Sequence, residues 1–179
     1  MAFSRARKLL PAVLAAAAVL PIAGCGGDDS KSTKDSGITR AEYVKQVNAV
    51  CAKTAQQSKP TNRKLQALVD ASGSYTSRLK KAAPYLQTTY DLQKSKVDRI
   101  KAIDPPQKDK AQVAEVVKAS TAALAEFKRG VGIAERGDLK SFIDIAFDAN
   151  GTRAKAERLG TTYGFNAQCF AVPVDLSSF

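Results

Sequence analysis

Three cysteines, at positions 25, 51 and 169, are the most reactive side chains in this 179-residue sequence. A thiol can take a lipid, pair as a disulfide, attack a carbonyl or ligate a metal, and its surroundings decide which. The rest of the chemical inventory is thin. His and Trp are absent, and the single methionine is Met1. Without His there is no Glu-x-x-His di-iron site of the kind helical bundles carry, no His-ligated haem or zinc, and no Ser-His-Asp triad. Carboxylates remain: Glu42, Glu115, Glu126, Glu135, Glu157 and scattered Asp. Acid–base work needs two of them facing one another, whereas each sits where a Lys or Arg partner or a helix cap accounts for it. No phosphate loop, dinucleotide fingerprint or calcium loop is present. The expectation is therefore no catalytic site, no metal and no cofactor.

The neighbours of Cys25 select the lipid. Arg5, Arg7 and Lys8 form a positive start, Leu9 to Leu20 an apolar run, and Ile22-Ala23-Gly24 a small-residue approach to the cysteine. Charge, apolar run and small residues in that order make a secretory signal. The uncharged stretch from Leu9 to Gly24 is shorter than the ~18 residues a spanning helix requires. Ile22-Ala23-Gly24-Cys25 resembles the bacterial lipobox, which implies a diacylglyceryl group on Cys25 and cleavage just before it. Residues 1–24 then read as a lipoprotein signal peptide, and the product is held by lipid on the extracytoplasmic face of the cell membrane. The alternative is an ordinary signal peptide cut near Gly24, with Cys25 incidental. Residues 25–37, rich in Gly, Ser, Asp and Lys, offer nothing to bury and read as a flexible tether.

The chain beyond the tether amounts to one domain, enough to bury a core. Its Ala, Leu, Val, Lys, Gln and Glu are the vocabulary of helices. The net charge is +11, and losing Arg5, Arg7 and Lys8 still leaves a cationic excess. The cations are spread along the helices with no interleaved aromatics, which argues against nucleic acid; the favoured reading is a solvated basic surface, and the alternative is weak attraction to an anionic membrane or wall polymer.

Residues 38–170 read as the folded part. Thr39 and Glu42 make a capping box, flanked by Ile38 and Tyr43 as a hydrophobic staple. Val44, Val47, Val50 and Cys51 continue at helical spacing. Thr54, Ser58 and Thr61 then occupy inward positions, and Pro60 predicts a kink. Leu65, Leu68 and Val69 resume the stripe before Ser72-Gly73-Ser74 breaks it. A second helix places Tyr75, Leu79, Ala82, Leu86, Tyr90, Val97, Ile100 and Ile103 inward, with Pro84 outward, and Asp104-Pro105-Pro106 stops it. A third carries Val113, Val116, Val117, Leu124, Phe127 and Val131 to Gly137. Asp138 caps a fourth, with Leu139, Phe142, Ile143, Ala146, Ala149, Ala156 and Leu159 inward. Gly164 is its left-handed cap, with Phe165 folding back. Residues 171–179 form an irregular tail. No segment alternates with period two, so the fold class is all-α, an up-down-up-down four-helix bundle with kinked helices.

With Cys25 lipidated, Cys51 and Cys169 remain in an oxidising compartment and are expected to pair; two free buried thiols are the alternative. The bond bears on where the chain reverses. A turn at Pro60 would give a helix from Thr61 to Ile103 of about 64 Å and leave the fourth helix ending far from Cys51. A turn at Gly73 gives arms of roughly 40 to 50 Å and returns the chain end to the first helix. The Gly73 reversal is favoured. Asn48, polar beside an inward stripe, is expected to bond to Arg153 or to the terminal segment.

Tyr43, Asn48 and Cys51 on one helix, Pro84 in a long helix stopped by Pro105-Pro106, and Tyr163-Gly164-Phe165 with Cys169 make a pattern. It resembles a family of actinobacterial membrane lipoproteins of unassigned function. The resemblance covers most of the mature chain and implies an architecture and a location but no activity. Relatives commonly place Gly after the last cysteine, where this chain has Phe170 and the tail.

The sequence thus leads to a non-catalytic, lipid-anchored envelope protein that binds a protein or an anionic polymer. A second reading is a carrier of an apolar ligand between the helices, with Ser72, Ala82, Ser120, Ala123 and Ala146 leaving the space.

Overall fold

The computed structural model describes residues 37–146 and 151–170. Residues 1–36, which hold the expected signal peptide, Cys25 and all but the last residue of the expected tether, lie outside the described residues, as do Ala149 and the expected tail at 171–179. Those described are all-α: α1 (Arg40–Val69), α2 (Tyr75–Lys101), α3 (Lys110–Arg136), α4 (Leu139–Ala146) and α5 (Thr152–Tyr163), with 3-10 turns at Gln107–Asp109 and Ala167–Cys169. They pack as a helical bundle in which α2 lies against α1 and α3, and α3 also carries α4 and α5.

The start of α1 is fixed by local chemistry. The Glu42 N–H donates to the Thr39 hydroxyl (3.2 Å), and the Glu42 carboxylate accepts from the Thr39 N–H (2.8 Å), so two orphan donors of the first turn are satisfied. α1 runs through Pro60, which is exposed. The carbonyl left without a donor belongs to Gln56, also exposed, so water can serve it. Two buried hydroxyls of α1 are satisfied along their own helix. Thr54 donates to the Val50 carbonyl (3.0 Å) and Ser58 to that of Thr54 (2.9 Å). Polar side chains can therefore face inward without a cross-helix partner.

The reversal falls at Gly73, whose φ of 124° lies where a Cβ is strained. Ser74 caps α2 by accepting from the Ser77 N–H. Arg78, buried in the first turn of α2, donates to the Val69 carbonyl at the end of α1, placing a cation on the negative end of that helix.

The core forms two clusters. One gathers Leu65, Val69, Leu79, Leu86, Val131 and Phe142 around the α1–α2 turn. The other gathers Tyr43, Val47, Val113, Tyr163 and Phe165 with the two cysteines at the opposite end. Buried Thr54, Ser58 and Thr61 occupy the stretch of α1 between the two sets.

Three expectations need correction. The fourth arm is two helices: α4 ends at Ala146, and Gly151, extended at ψ −178°, is the N-cap of a separate α5. Tyr75 is 51% exposed: at the first position of α2 it lies beyond the packed stripe and is covered by the Arg78 guanidinium, 4.4 Å from its ring centroid. Ile143, next to buried Phe142, faces outward at 38% exposure.

Candidate functional site

The densest cross-helix chemistry lies at the end where α1 begins. Cys51, two turns beyond Tyr43 on α1, and Cys169, in the last 3-10 turn, form a disulfide across 118 positions, their Cα atoms 5.1 Å apart. Both are buried. Getting Cys169 there depends on how α5 ends. Gly164, at φ 117°, turns the chain, and the Phe165 N–H donates to the Gly160 carbonyl (2.9 Å), which folds Phe165 into the core. Asn48 then accepts from the Asn166 N–H at 2.9 Å, and its Oδ1 lies 3.7 Å from the Cys169 sulfur. Of the two partners expected for Asn48, the terminal segment is the one it meets.

Beside the disulfide, Arg40, Asp109 and Tyr163 form a closed polar group. Arg40 donates to both oxygens of Asp109, at 3.0 and 3.2 Å, and to Gln112 at 2.8 Å. Tyr163 donates its hydroxyl to Asp109 at 3.0 Å, while the Arg40 guanidinium lies 4.4 Å from the centre of the same tyrosine ring. The Arg40 bond, with that of Tyr163 behind it, outweighs burial and holds the Asp109 carboxyl below its ordinary value. Burial and the carboxylate push Tyr163 upward. Tyr43 packs edge-on to Tyr163, its hydroxyl buried without a hydrogen-bond partner among the described residues; burial pushes it up to about 12. An anion fixed by a bidentate arginine and a phenol is a weak base and has no proton to give. The group joins α1, α3 and α5; its chemistry is structural.

None of Arg40, Asp109, Tyr163 and Lys96 is legible as a site member in the sequence. Lys96 is buried on α2, donates its ammonium to the Cys169 carbonyl, and is pulled down to about 8 by burial. The only sequence signal for it is its place one residue before the inward Val97.

The carboxylates considered as acid–base candidates are dispersed. Glu42 is in its capping box, Glu126 accepts from the Thr152 hydroxyl, and Glu115, Glu135 and Glu157 are exposed. Among the described residues no three His, Cys, Asp or Glu side chains gather as a metal site would require, and no helix is long and apolar enough to cross a membrane. Of the small residues considered as lining a ligand space, Ser72 is exposed in the turn, Ala82 is fully buried in the first core cluster, and Ser120 donates to its own helix at the Val116 carbonyl. Compared with family models, curated proteins and solved structures, the chain matches none.

Proposed function

We propose that this chain is a lipoprotein anchored through Cys25 at the outer face of the cell membrane, and that its helical domain is a non-catalytic module binding an anionic envelope polymer. One observation carries the reading. Among the described residues four side-chain ion pairs form, between Arg40 and Asp109, Lys94 and Asp98, Arg129 and Glu126, and Lys140 and Asp144. Lys45, Lys53, Lys59 and Arg63 on α1, and Lys80 and Lys81 on α2, stand exposed outside those pairs. A surface with that surplus attracts polyanions over a Debye length and loses the attraction in salt. The bundle itself, tied by a disulfide, is a rigid carrier for it.

The test is retention of the purified mature chain on immobilised anionic wall polymer. Binding that weakens steadily as salt is raised supports the reading. Retention indifferent to salt, or none at low salt, overturns it. Mass spectrometry of the native product tests the anchor separately: the expected mass is that of a diacylated chain beginning at Cys25.

A further inference from the structure

The end of the bundle where the chain enters differs from the opposite end in its charge. Ile38 packs there with Ile100 and Ile103, against the cluster of Tyr43 and Tyr163. Arg40 binds Asp109 and Gln112 across the same end. The last turn of α2, the Gln107–Asp109 turn and the first residue of α3 are therefore neighbours of the entry point. They carry Arg99, Lys101, Lys108 and Lys110, all exposed and all outside the ion pairs of the described residues. Of the acids nearby, Asp109 is held by Arg40, Asp98 by Lys94 and Glu42 by its cap, which leaves exposed Asp104. At the opposite end acids and bases are mixed, with Asp70, Glu135, Asp138 and Asp144 among Arg78, Lys80, Lys81, Arg136 and Lys140.

Helix electrostatics explains half of this set. Arg99 and Lys101 lie in the last turn of α2, where cations offset the exposed carbonyls. Lys108 and Lys110 lie at the start of α3, the end where a cation is unfavourable; the acid there is the N-cap Asp109, whose carboxylate bonds to Arg40 through both oxygens, so the two lysines have no carboxylate bonded to them among the described residues.

We infer that this end is the face the domain turns to the membrane, and that its ligand is a layer of anionic phospholipid headgroups. The inference rests on the lipid-anchored reading and deepens it by naming the face and the partner. Cys25 precedes Ile38 by 13 positions, a contour of at most about 45 Å. The arms of the bundle are themselves about 40 Å long, so a tether of that reach attaches the domain without choosing which end meets the headgroups, and the choice falls to surface charge. Basic residues gain from an anionic surface only within about a Debye length of it. The lipid supplies attachment; Arg99, Lys101, Lys108 and Lys110 supply orientation.

The experiment uses the mature chain with Cys25→Ser, which removes the acyl anchor, sedimented with vesicles of phosphatidylglycerol in phosphatidylcholine and with vesicles of phosphatidylcholine alone. Binding is expected only to the anionic vesicles. The combined variant Arg99→Gln, Lys101→Gln, Lys108→Gln, Lys110→Gln should weaken it by ~10-fold or more, while Lys45→Gln, Lys59→Gln, Arg63→Gln on α1 should change it less than ~2-fold. All of these positions are exposed, and circular dichroism verifies that each variant folds. If the α1 variant loses as much as the end variant, the end-on assignment is overturned while the polyanion reading stands. If the chain ignores anionic vesicles but is retained by wall polymer, the headgroup inference falls alone. Absence of binding to both defeats the two together.

Discussion

The ammonium of Lys96 donates to the backbone carbonyl of Cys169, so a cation from α2 is buried against the very segment that the disulfide holds in place. No carboxylate bonds to it among the described residues. Its burial is a cost that the rest of the fold offsets, and the cost depends on pH.

Burial pulls the Lys96 ammonium down to about 8 in the folded chain, against an ordinary value of about 10.4. Between those values the unfolded chain holds a proton that the folded chain has released, so stability rises with pH through that window. Below it the penalty is present in full, on the order of 3 kcal/mol. Above about 10 the trend reverses, because Tyr43, raised to about 12 by burial, keeps its proton in the fold while the unfolded chain loses it. Urea unfolding of wild type at neutral pH and at about 9.5 should show the rise. Lys96→Met should abolish it and gain stability at neutral pH, less what the unpartnered Cys169 carbonyl costs. A wild-type profile flat over this range would contradict the burial of Lys96.

Asp109 behaves in the opposite sense. The Arg40 bond, with Tyr163 assisting, holds it below its ordinary value. Its contribution is thus present above the unfolded carboxylate value of about 3.9 and is lost as pH falls through the folded one. Asp109→Asn should lower stability at neutral pH and make the acid limb of the unfolding profile shallower. Tyr163→Phe, which keeps the ring under Arg40 but removes the hydroxyl, should give a smaller change in the same direction. Acid titration monitored by far-ultraviolet circular dichroism resolves the three curves.

Breaking the Cys51–Cys169 bond frees a loop of 118 positions. The double variant Cys51→Ala, Cys169→Ala should lose about 4–5 kcal/mol by the chain-entropy argument. Because Lys96 is covered by the Cys169 segment, reduction of wild type should also make that lysine reactive to an acetylating reagent, detectable by peptide mapping. Equal acetylation before and after reduction would show that the disulfide does not keep it covered.

Glycines at three positions separate helix propensity from packing. At Gly132 a Cβ would meet only the Arg136 side chain at an ordinary 3.8 Å, so Gly132→Ala should stabilise by up to about 1 kcal/mol. At Gly160, equally helical, a Cβ would collide with the Phe170 ring, and Gly160→Ala should cost about 1–3 kcal/mol despite its better propensity. At Gly137 the φ of 73° and contacts with Lys80 and Thr76 both oppose a side chain, so Gly137→Ala should also destabilise. Thermal unfolding of the three single variants reads the order, and Phe170→Ala combined with Gly160→Ala should recover part of the loss.

Much of the fold is legible in the sequence because the decisive signals are local. The capping box needs only Thr39 and Glu42, and the helix end at Tyr163 needs only Gly164 and an apolar residue after it. The choice of Gly73 over Pro60 rests on arm length and the cysteine pair. The break between α4 and α5 escapes apolar spacing, which runs straight through Asn150-Gly151. Period alone places Tyr75 and Ile143 inward, and period cannot show where a stripe outruns its partner. The charged group at the disulfide end is hidden for a different reason. Arg40, Asp109 and Tyr163 are 69 and 54 positions apart in successive steps, and each alone reads as an ordinary surface or core residue. Lys96 is no more readable, since its partner is a backbone carbonyl that only the folded chain brings near.

The disulfide also sets how the molecule would carry load. Tension applied between the two ends of the chain enters at Ile38, passes along α1 as far as Cys51, crosses the sulfur bridge to Cys169 and leaves at Phe170. The remainder of α1 and helices α2 to α5 lie within the bridged loop and bear none of it along their backbone. Pulling should therefore yield a short extension from the first turns of α1 and then a hard stop, with the long extension of the bridged loop appearing only after a reductant is added.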